Sequence, residues 1–333
     1  MGKWKKVTAA LLAGVMVLAL TGCGSTKPES AKPADKKIVL GFSQVGAESE
    51  WRTANTESIK ASAQEAGIEL KFSDGQQKQE NQIKAIRSFI QQKVDVIALS
   101  PVVETGWDAV LQEAKAAGIP VILTDRAIKM SSGNPEDYYV TFMGSDFTEE
   151  GRRAAKWLFD FMKKDTPVNI VELQGTVGSA PAIDRKKGFE EIMKDHPNYK
   201  IIKSQTGDFT RAKGKEVMES FLKSAQAEGQ KIDVLFAHND DMAIGAIQAI
   251  EEAGLKPGKD IIIVSMDGVK GAFEAMIAGK LNCTVECSPL LGPQLMQAVK
   301  DVKAGKTIEK RILANESVFP ADVAAKELPN RKY

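Results

Sequence analysis

From Lys37 onward, short apolar runs alternate with longer amphipathic stretches, and that alternation restricts the fold more than any other feature. The runs are "KIVLGFSQ", "IELKFSDG", "VDVIALSP", "IPVILTDR", "YYVTFMG", "VNIVELQG", "YKIIKSQTG", "IDVLFAHN" and "DIIIVSMDG". Between them, segments such as "ENQIKAIRSFIQQK" and "GKEVMESFLKSAQAEG" carry apolar residues at helical spacing. Strand, helix and strand in that order mean βαβ units, hence parallel sheets with helices on both faces. In "IPVILTDRAI", Ile119, Val121, Ile122 and Leu123 read as a strand buried on both faces. It nevertheless ends on a carboxylate and a guanidinium, Asp125 and Arg126. A surface ion pair between these two neighbours would explain them cheaply.

A repeat sharpens the picture. "VDVIALSP", a helix, then "AAGIPVILTD" is echoed by "IDVLFAHN", a helix, then "EAGLKPGKDIIIVSMD". Asp125 and Asp267 thereby take equivalent places at the carboxyl ends of two strands. Two similar α/β lobes follow, the first ending near Met143. Chain order alone leaves open whether "NCTVECS" and "LLGPQLMQAVKDVKAG" return to the first lobe.

Open α/β sheets bind ligands beyond the carboxyl ends of their strands. In the first half those ends deliver Glu48, Trp51 and Arg52, then Ser100 and Pro101, then Asp125 and Arg126. In the second half they deliver Glu172 and Gln174, Asp208 and Phe209, then His238, Asn239 and Asp240, then Asp267. Arg185 opens the helix after "VELQGTVG". Carboxylates and amides accept hydrogen bonds, guanidinium groups donate in a fork, and aromatic rings cover an apolar ring face. A neutral polyol such as a sugar asks for that mixture. Helix capping explains Asp240 equally well, and core packing is the bland account of Trp51 and Phe209.

The 333 residues exceed the usual reach of one hydrophobic core, so two domains are expected. A hydrophobic share of 43% and a charged share of 27% suit a soluble globular body, and a net charge of +1 gives no reason to expect nucleic acid. Two His and three Cys leave little material for a metal site. Cys283 and Cys287, four residues apart on a strand pattern, have α-carbons separated by roughly 13 Å. That is too far for a disulfide, so both are expected as free or buried thiols.

Residues 1–23 differ in kind. Lys3, Lys5 and Lys6 precede the apolar "VTAALLAGVMVLAL", which is short for a membrane span, and "LTGCGS" places small residues around Cys23. This reads as an export signal and is similar to a bacterial lipoprotein signal, which implies lipidation of Cys23. Two acyl chains there would anchor the chain stably. Residues 24–37 read as a flexible polar tether.

Enzymatic motifs are weak. Neither a GxxxxGK[ST] phosphate loop nor a GxSxG elbow occurs, and "GTVGSA" lacks the GxGxxG spacing. His196, in the polar turn "KDHPN", reads as a surface residue. His238 has no nucleophile arranged with it in sequence. Facing carboxylates would permit glycosidase chemistry, but the expectation is a binding protein without cofactor or metal, not an enzyme.

Seven stretches carry a family likeness: "GFSQVGAESEWR", "DGQQKQENQIKAIRSFI", "SPVVETGW", "VELQGTVG", "AIDRKKGF", "SQTGDFTRAKGKEVMESF" and "AHNDDMAIGAIQAIEEAGLKPGKDI". Through them the chain resembles the periplasmic sugar-binding proteins of ABC importers, in the ribose-binding branch, and most of all the galactofuranose-binding members. The likeness spans roughly 38–268 and is weaker toward the C-terminus. It implies a type I periplasmic binding protein: two doubly wound parallel-sheet lobes, 38–143 plus 288–319 and 144–287 plus 320–333. A three-segment hinge would run near Met143, Cys287 and Phe319. It further implies sugar contacts from Glu48, Trp51, Arg52, Asp125 and Arg126 in the first lobe and from Arg185, Phe209, Asn239 and Asp267 in the second. Ribose-type members carry a glutamine where this chain has Cys287, so a hinge-side hydrogen bond to a pyranose is missing.

The resemblance implies a monomer, lipid-anchored outside the cytoplasmic membrane, that hands a monosaccharide to an ABC permease driven by a cytoplasmic ATPase. A sensor subunit presenting sugar to a receptor uses the same body. The effector core of a repressor also shares the fold, but an export signal stands where its DNA-binding helices would be.

Overall fold

The computed structural model describes residues 37–333; the expected signal, Cys23 and nearly all of the tether lie outside the described residues. Two six-stranded sheets organise the chain. The first takes β1 (Val39–Gln44), β2 (Glu69–Asp74), β3 (Val96–Leu99), β4 (Val121–Thr124) and β5 (Thr141–Gly144). The second takes β6 (Val168–Gln174), β7 (Tyr199–Thr206), β8 (Val234–Ala237), β9 (Ile262–Asp267) and β10 (Cys283–Glu286). After the helix Gly292–Lys303, β11 (Arg311–Leu313) joins the first sheet and β12 (Val318–Pro320) the second.

Strand order is β2-β1-β3-β4-β5-β11 in one lobe and β7-β6-β8-β9-β10-β12 in the other, the same winding twice. All pairs are parallel except β12, which runs antiparallel to β10. The order makes β4 and β9 counterparts, as the internal repeat requires. Both faces of the central strands are buried. Val96 and Ala98 of β3 pack into one core layer, while Ile97 and Leu99 pack into the layer on the opposite face. In β8, Val234 and Phe236 face one layer and Leu235 and Ala237 the other. Two buried faces are the reason these runs read as continuously apolar.

The chain passes between the lobes three times. It leaves the first after β5, returns after β10, and leaves again between Leu313 and Val318. The third passage therefore lies ahead of Phe319, whose backbone already pairs with Thr284 in the second sheet. Both β11 and β12 are three residues long, too short to show a strand period in sequence. "NCTVECS" stays with the second lobe as β10, whereas the helix Gly292–Lys303 packs on Glu50–Ala66 of the first. Cys283 and Cys287 are free, buried thiols. Among the described residues, no helix is long and apolar enough to cross a membrane.

Candidate functional site

The carboxyl ends of both sheets face one narrow, tightly closed cleft, and every one of the nine residues expected to touch a ligand lines it. From the first lobe come Glu48, Trp51, Arg52, Asp125 and Arg126; from the second come Arg185, Phe209, Asn239 and Asp267. Ser49, Phe147, Pro181 and Cys287 complete the wall. The lobes meet at its rim, where the Glu50 N–H donates to Asp241 Oδ2 at 2.7 Å and the Glu104 N–H to the Gly178 carbonyl at 2.9 Å.

Asp125 and Arg126 are 4% and 3% exposed, which rules out a surface pair. Nor is Arg126 the main partner of Asp125. Arg52 Nη2 donates to Asp125 Oδ2 at 2.6 Å, and Ser100 Oγ donates to the same oxygen at 3.1 Å. The strand order explains this triad, because Arg52, Ser100 and Asp125 follow β1, β3 and β4, three neighbours in the sheet. Arg52 also donates to Glu48 at 3.0 Å and to Gln44 at 3.2 Å. Burial works against its charge, but Asp125 and Glu48 outweigh burial and hold the guanidinium above its ordinary pKa.

Arg126 is served less well. Its Nη1 donates to the Val102 carbonyl at 3.2 Å, Nη2 stands 3.6 Å from Glu48, and Nε stands 3.6 Å from Asp125 Oδ2 without a hydrogen bond. Burial and the neighbouring Arg52 lower it to about 10, only partly offset by Asp125 and Glu48. Glu48 Oε2 is likewise buried without a partner. Buried polar atoms are rarely left so. One unpaired acceptor and one unpaired donor therefore border the same cleft.

In the second lobe Arg185 donates to Glu150 at 2.7 Å, to the His238 carbonyl at 2.5 Å and to Asp267 at 3.4 Å. Burial again opposes the charge, and Glu150 chiefly overcomes it. Arg185 reaches this position because its helix, Ala180–Met193, packs against Phe147–Met162 backbone to backbone. A Cβ at Gly188 would collide with the Thr148 carbonyl. Asp125 and Asp267, the counterparts at β4 and β9, both have left-handed backbone, φ 64° and 114°. Such strain in non-glycine residues concentrates at binding sites.

Aromatic rings close the walls. Phe209 (φ 62°) lies beneath the Arg126 guanidinium at 5.2 Å from ring centroid to Cζ, and Phe147 lies 5.1 Å from that of Arg185. Gly175 leaves the room that Phe209 occupies; a Cβ there would fall on the ring. Trp51, on a first-lobe helix, packs into the second lobe's core, and its indole N–H donates to the Cys287 carbonyl at 2.6 Å. It offers the cleft its ring and not its N–H.

Other strand-end residues serve elsewhere. Glu172 bonds His238 at 3.0 Å, Lys186 at 2.6 Å and Gln174 at 2.9 Å in a separate buried cluster. Asp208 pairs with Lys213. The cap of the helix Asp240–Glu252 is Asn239, whose Oδ1 accepts from the Met242 N–H and whose Nδ2 donates to the Phe209 carbonyl. Asp240 instead points inward, accepting from Ser265, Thr284 and the N–H groups of Gly268 and Val269. His196 is half-buried, its ring 4.0 Å from Phe159. Phe147 and Pro181 escaped the sequence reading; both sit just beyond strand-end turns, as Arg185 does.

A model of the periplasmic binding protein domain matches residues 40–307. The galactofuranose-binding protein YtfQ of Escherichia coli K12 is 52% identical over 296 residues, 89% of this chain and 92% of that protein. A Mycobacterium smegmatis protein in complex with β-D-fucofuranose is 58% identical, with a TM-score of 0.85 over 89% of this chain and 95% of that one. The periplasmic binding protein component of the arabinose ABC transporter from Shewanella sp. ANA-3, bound to α- and β-L-arabinofuranose, is 53% identical. It has a TM-score of 0.84 over 89% of this chain and 96% of that one. The two of these relatives whose names state a role are binding proteins, not enzymes. With the family model covering most of its length, this chain belongs to the periplasmic binding protein domain family.

Proposed function

We propose that this chain is the extracytoplasmic substrate-binding lipoprotein of a sugar ABC importer, holding a monosaccharide in its furanose form, galactofuranose or a near relative, between its lobes. The observation that carries this reading is the pair of unsatisfied buried atoms facing the cleft, Glu48 Oε2 and Arg126 Nε. A sugar hydroxyl donates to the first and accepts from the second at once. Asp125, Arg185 and Asp267 supply further charged partners, and Trp51, Phe147 and Phe209 cover ring faces. Relatives more than 50% identical carry galactofuranose, fucofuranose or arabinofuranose in their names. Cys287 supports the furanose: its side chain replaces an amide on the hinge wall and offers a ring no strong hydrogen bond.

The closed cleft acts as a clamp. Sugar bridging both walls favours the closed state, which is the form a permease can recognise. Export and lipidation at Cys23 would keep the clamp beside that permease, and the cleft needs no second copy of the chain. Thermal-shift measurements against galactose, arabinose, fucose, fructose and ribose test the ligand class, since a ligand that binds only the folded form raises its apparent stability. The largest shift is expected from sugars that present the galacto- or arabino-furanose ring. No shift with any sugar would sink the reading.

A further inference from the structure

Beside the cleft, the three passages between the lobes converge on a second group of polar side chains. Ser145 belongs to the first passage, Cys287 and Ser288 to the second, and Glu316 to the third. Glu316 Oε1 accepts from Ser145 Oγ at 2.5 Å and from the Ser288 N–H at 2.8 Å. Ser145 Oγ lies 3.3 Å from Cys287 Sγ. Glu150, in the first turn of Phe147–Met162, completes the group. An oxygen of each carboxylate and Cys287 Sγ all lie within 4.8 Å of one another.

Glu150 is only 1% exposed; Arg185 takes its Oε2, and Oε1 has no strong donor, only the weak Cys287 thiol beside it. A buried carboxylate oxygen with only a thiol for a donor, beside a second carboxylate, costs the fold unless something better fills the gap. Burial, reinforced by Glu150, raises Glu316 to about 8. Burial also raises Glu150, and raises the Cys287 thiol well above its ordinary value.

We propose that Glu150, Cys287 and Glu316 form a hinge site for a borderline-soft divalent cation of the zinc or cadmium type. One sulfur and two oxygens suit such an ion better than calcium or magnesium, which take oxygen alone. Tetrahedral bonds of about 2.0–2.3 Å place ligand atoms roughly 3.3–3.7 Å apart. Atoms now within 4.8 Å need to close by about 1 Å, a side-chain adjustment. The Ser145 hydroxyl or a water fills the fourth position. Glu316 is the least buried of the three and marks the side from which an ion enters. Sequence composition had argued against any metal site; the third passage supplies the ligand that no local motif announces.

Cadmium is the probe, because a Cd–thiolate bond absorbs in the ultraviolet. The full chain carrying Cys23→Ser, free of affinity tags and stripped with chelator, is titrated with Cd2+ at pH 7.5. One equivalent is expected to raise the charge-transfer absorption, and Zn2+ to displace it. Cys287→Ser should abolish the band, and Glu316→Gln should weaken Cd2+ binding at least tenfold. Absence of a band, or a band that survives Cys287→Ser, overturns the site. Should Cys287→Ser not fold, Glu316→Gln decides alone: unchanged Cd2+ affinity also overturns it.

Discussion

Arg126→Met separates binding from folding more sharply than any other change in the cleft. The wild-type guanidinium is buried, has one good hydrogen bond, to the Val102 carbonyl, and leaves Nε unpartnered. Holding it at about 10 instead of 12.5 costs the fold on the order of 3 kcal/mol. Replacing it with an apolar side chain of similar length removes that cost, so the sugar-free protein should be as stable as wild type or more so. Binding should move the other way. A hydrogen bond from a charged donor contributes roughly 1.5–3 kcal/mol, so losing the one from Nε to a sugar hydroxyl weakens affinity about ten- to one-hundred-fold. Titration calorimetry gives the affinity, and urea unfolding of the sugar-free protein gives the stability. Affinity within twofold of wild type would remove Arg126 from the sugar's contacts. Parallel losses of affinity and stability would make it a structural ion pair.

Two further outcomes follow from other parts of the molecule. His238 is fully buried and burial lowers its pKa, while Glu172 beside it is held below the usual carboxylate range despite burial by His238, Lys186 and Ser204. As pH falls through about 6.5 the unfolded chain takes a proton that buried His238 refuses, so stability drops on acidification. His238→Gln should flatten the fall in urea midpoint between pH 7.5 and 5.5; equal slopes would contradict the assignment. For the anchor, Cys23→Ala should move the protein from membrane to soluble fractions with unchanged sugar affinity, and continued membrane association after signal cleavage would count against lipidation.

Much of the site was legible because strand ends are legible. A run apolar on both faces marks a central parallel strand, and the residues just past it must lie at the sheet's carboxyl edge. That logic placed the nine side chains at strand ends along with others that serve elsewhere, the family resemblance selected the nine, and the repeat paired Asp125 with Asp267. Partnership was not legible. Asp125 binds Arg52 through an order of strands, β1-β3-β4, that no local pattern encodes. Trp51 reads as a ring platform or a core residue, and nothing local shows that its N–H is spent on Cys287, 236 residues away. The third passage between lobes hides in "ILANESVFP", where two three-residue strands give no period to read. Glu316 was invisible for the same reason.

The central claim, that the cleft holds a furanose, is tested most directly by carbon-13 NMR of [1-13C]galactose on the protein. Free galactose is mostly pyranose, and the anomeric carbon distinguishes the ring forms. With sugar limiting and protein in excess, the bound anomeric signal should fall in the furanose region, and Arg126→Met should return it to the free distribution. A bound signal in the pyranose region, or no bound signal with the protein in large excess, would contradict the account.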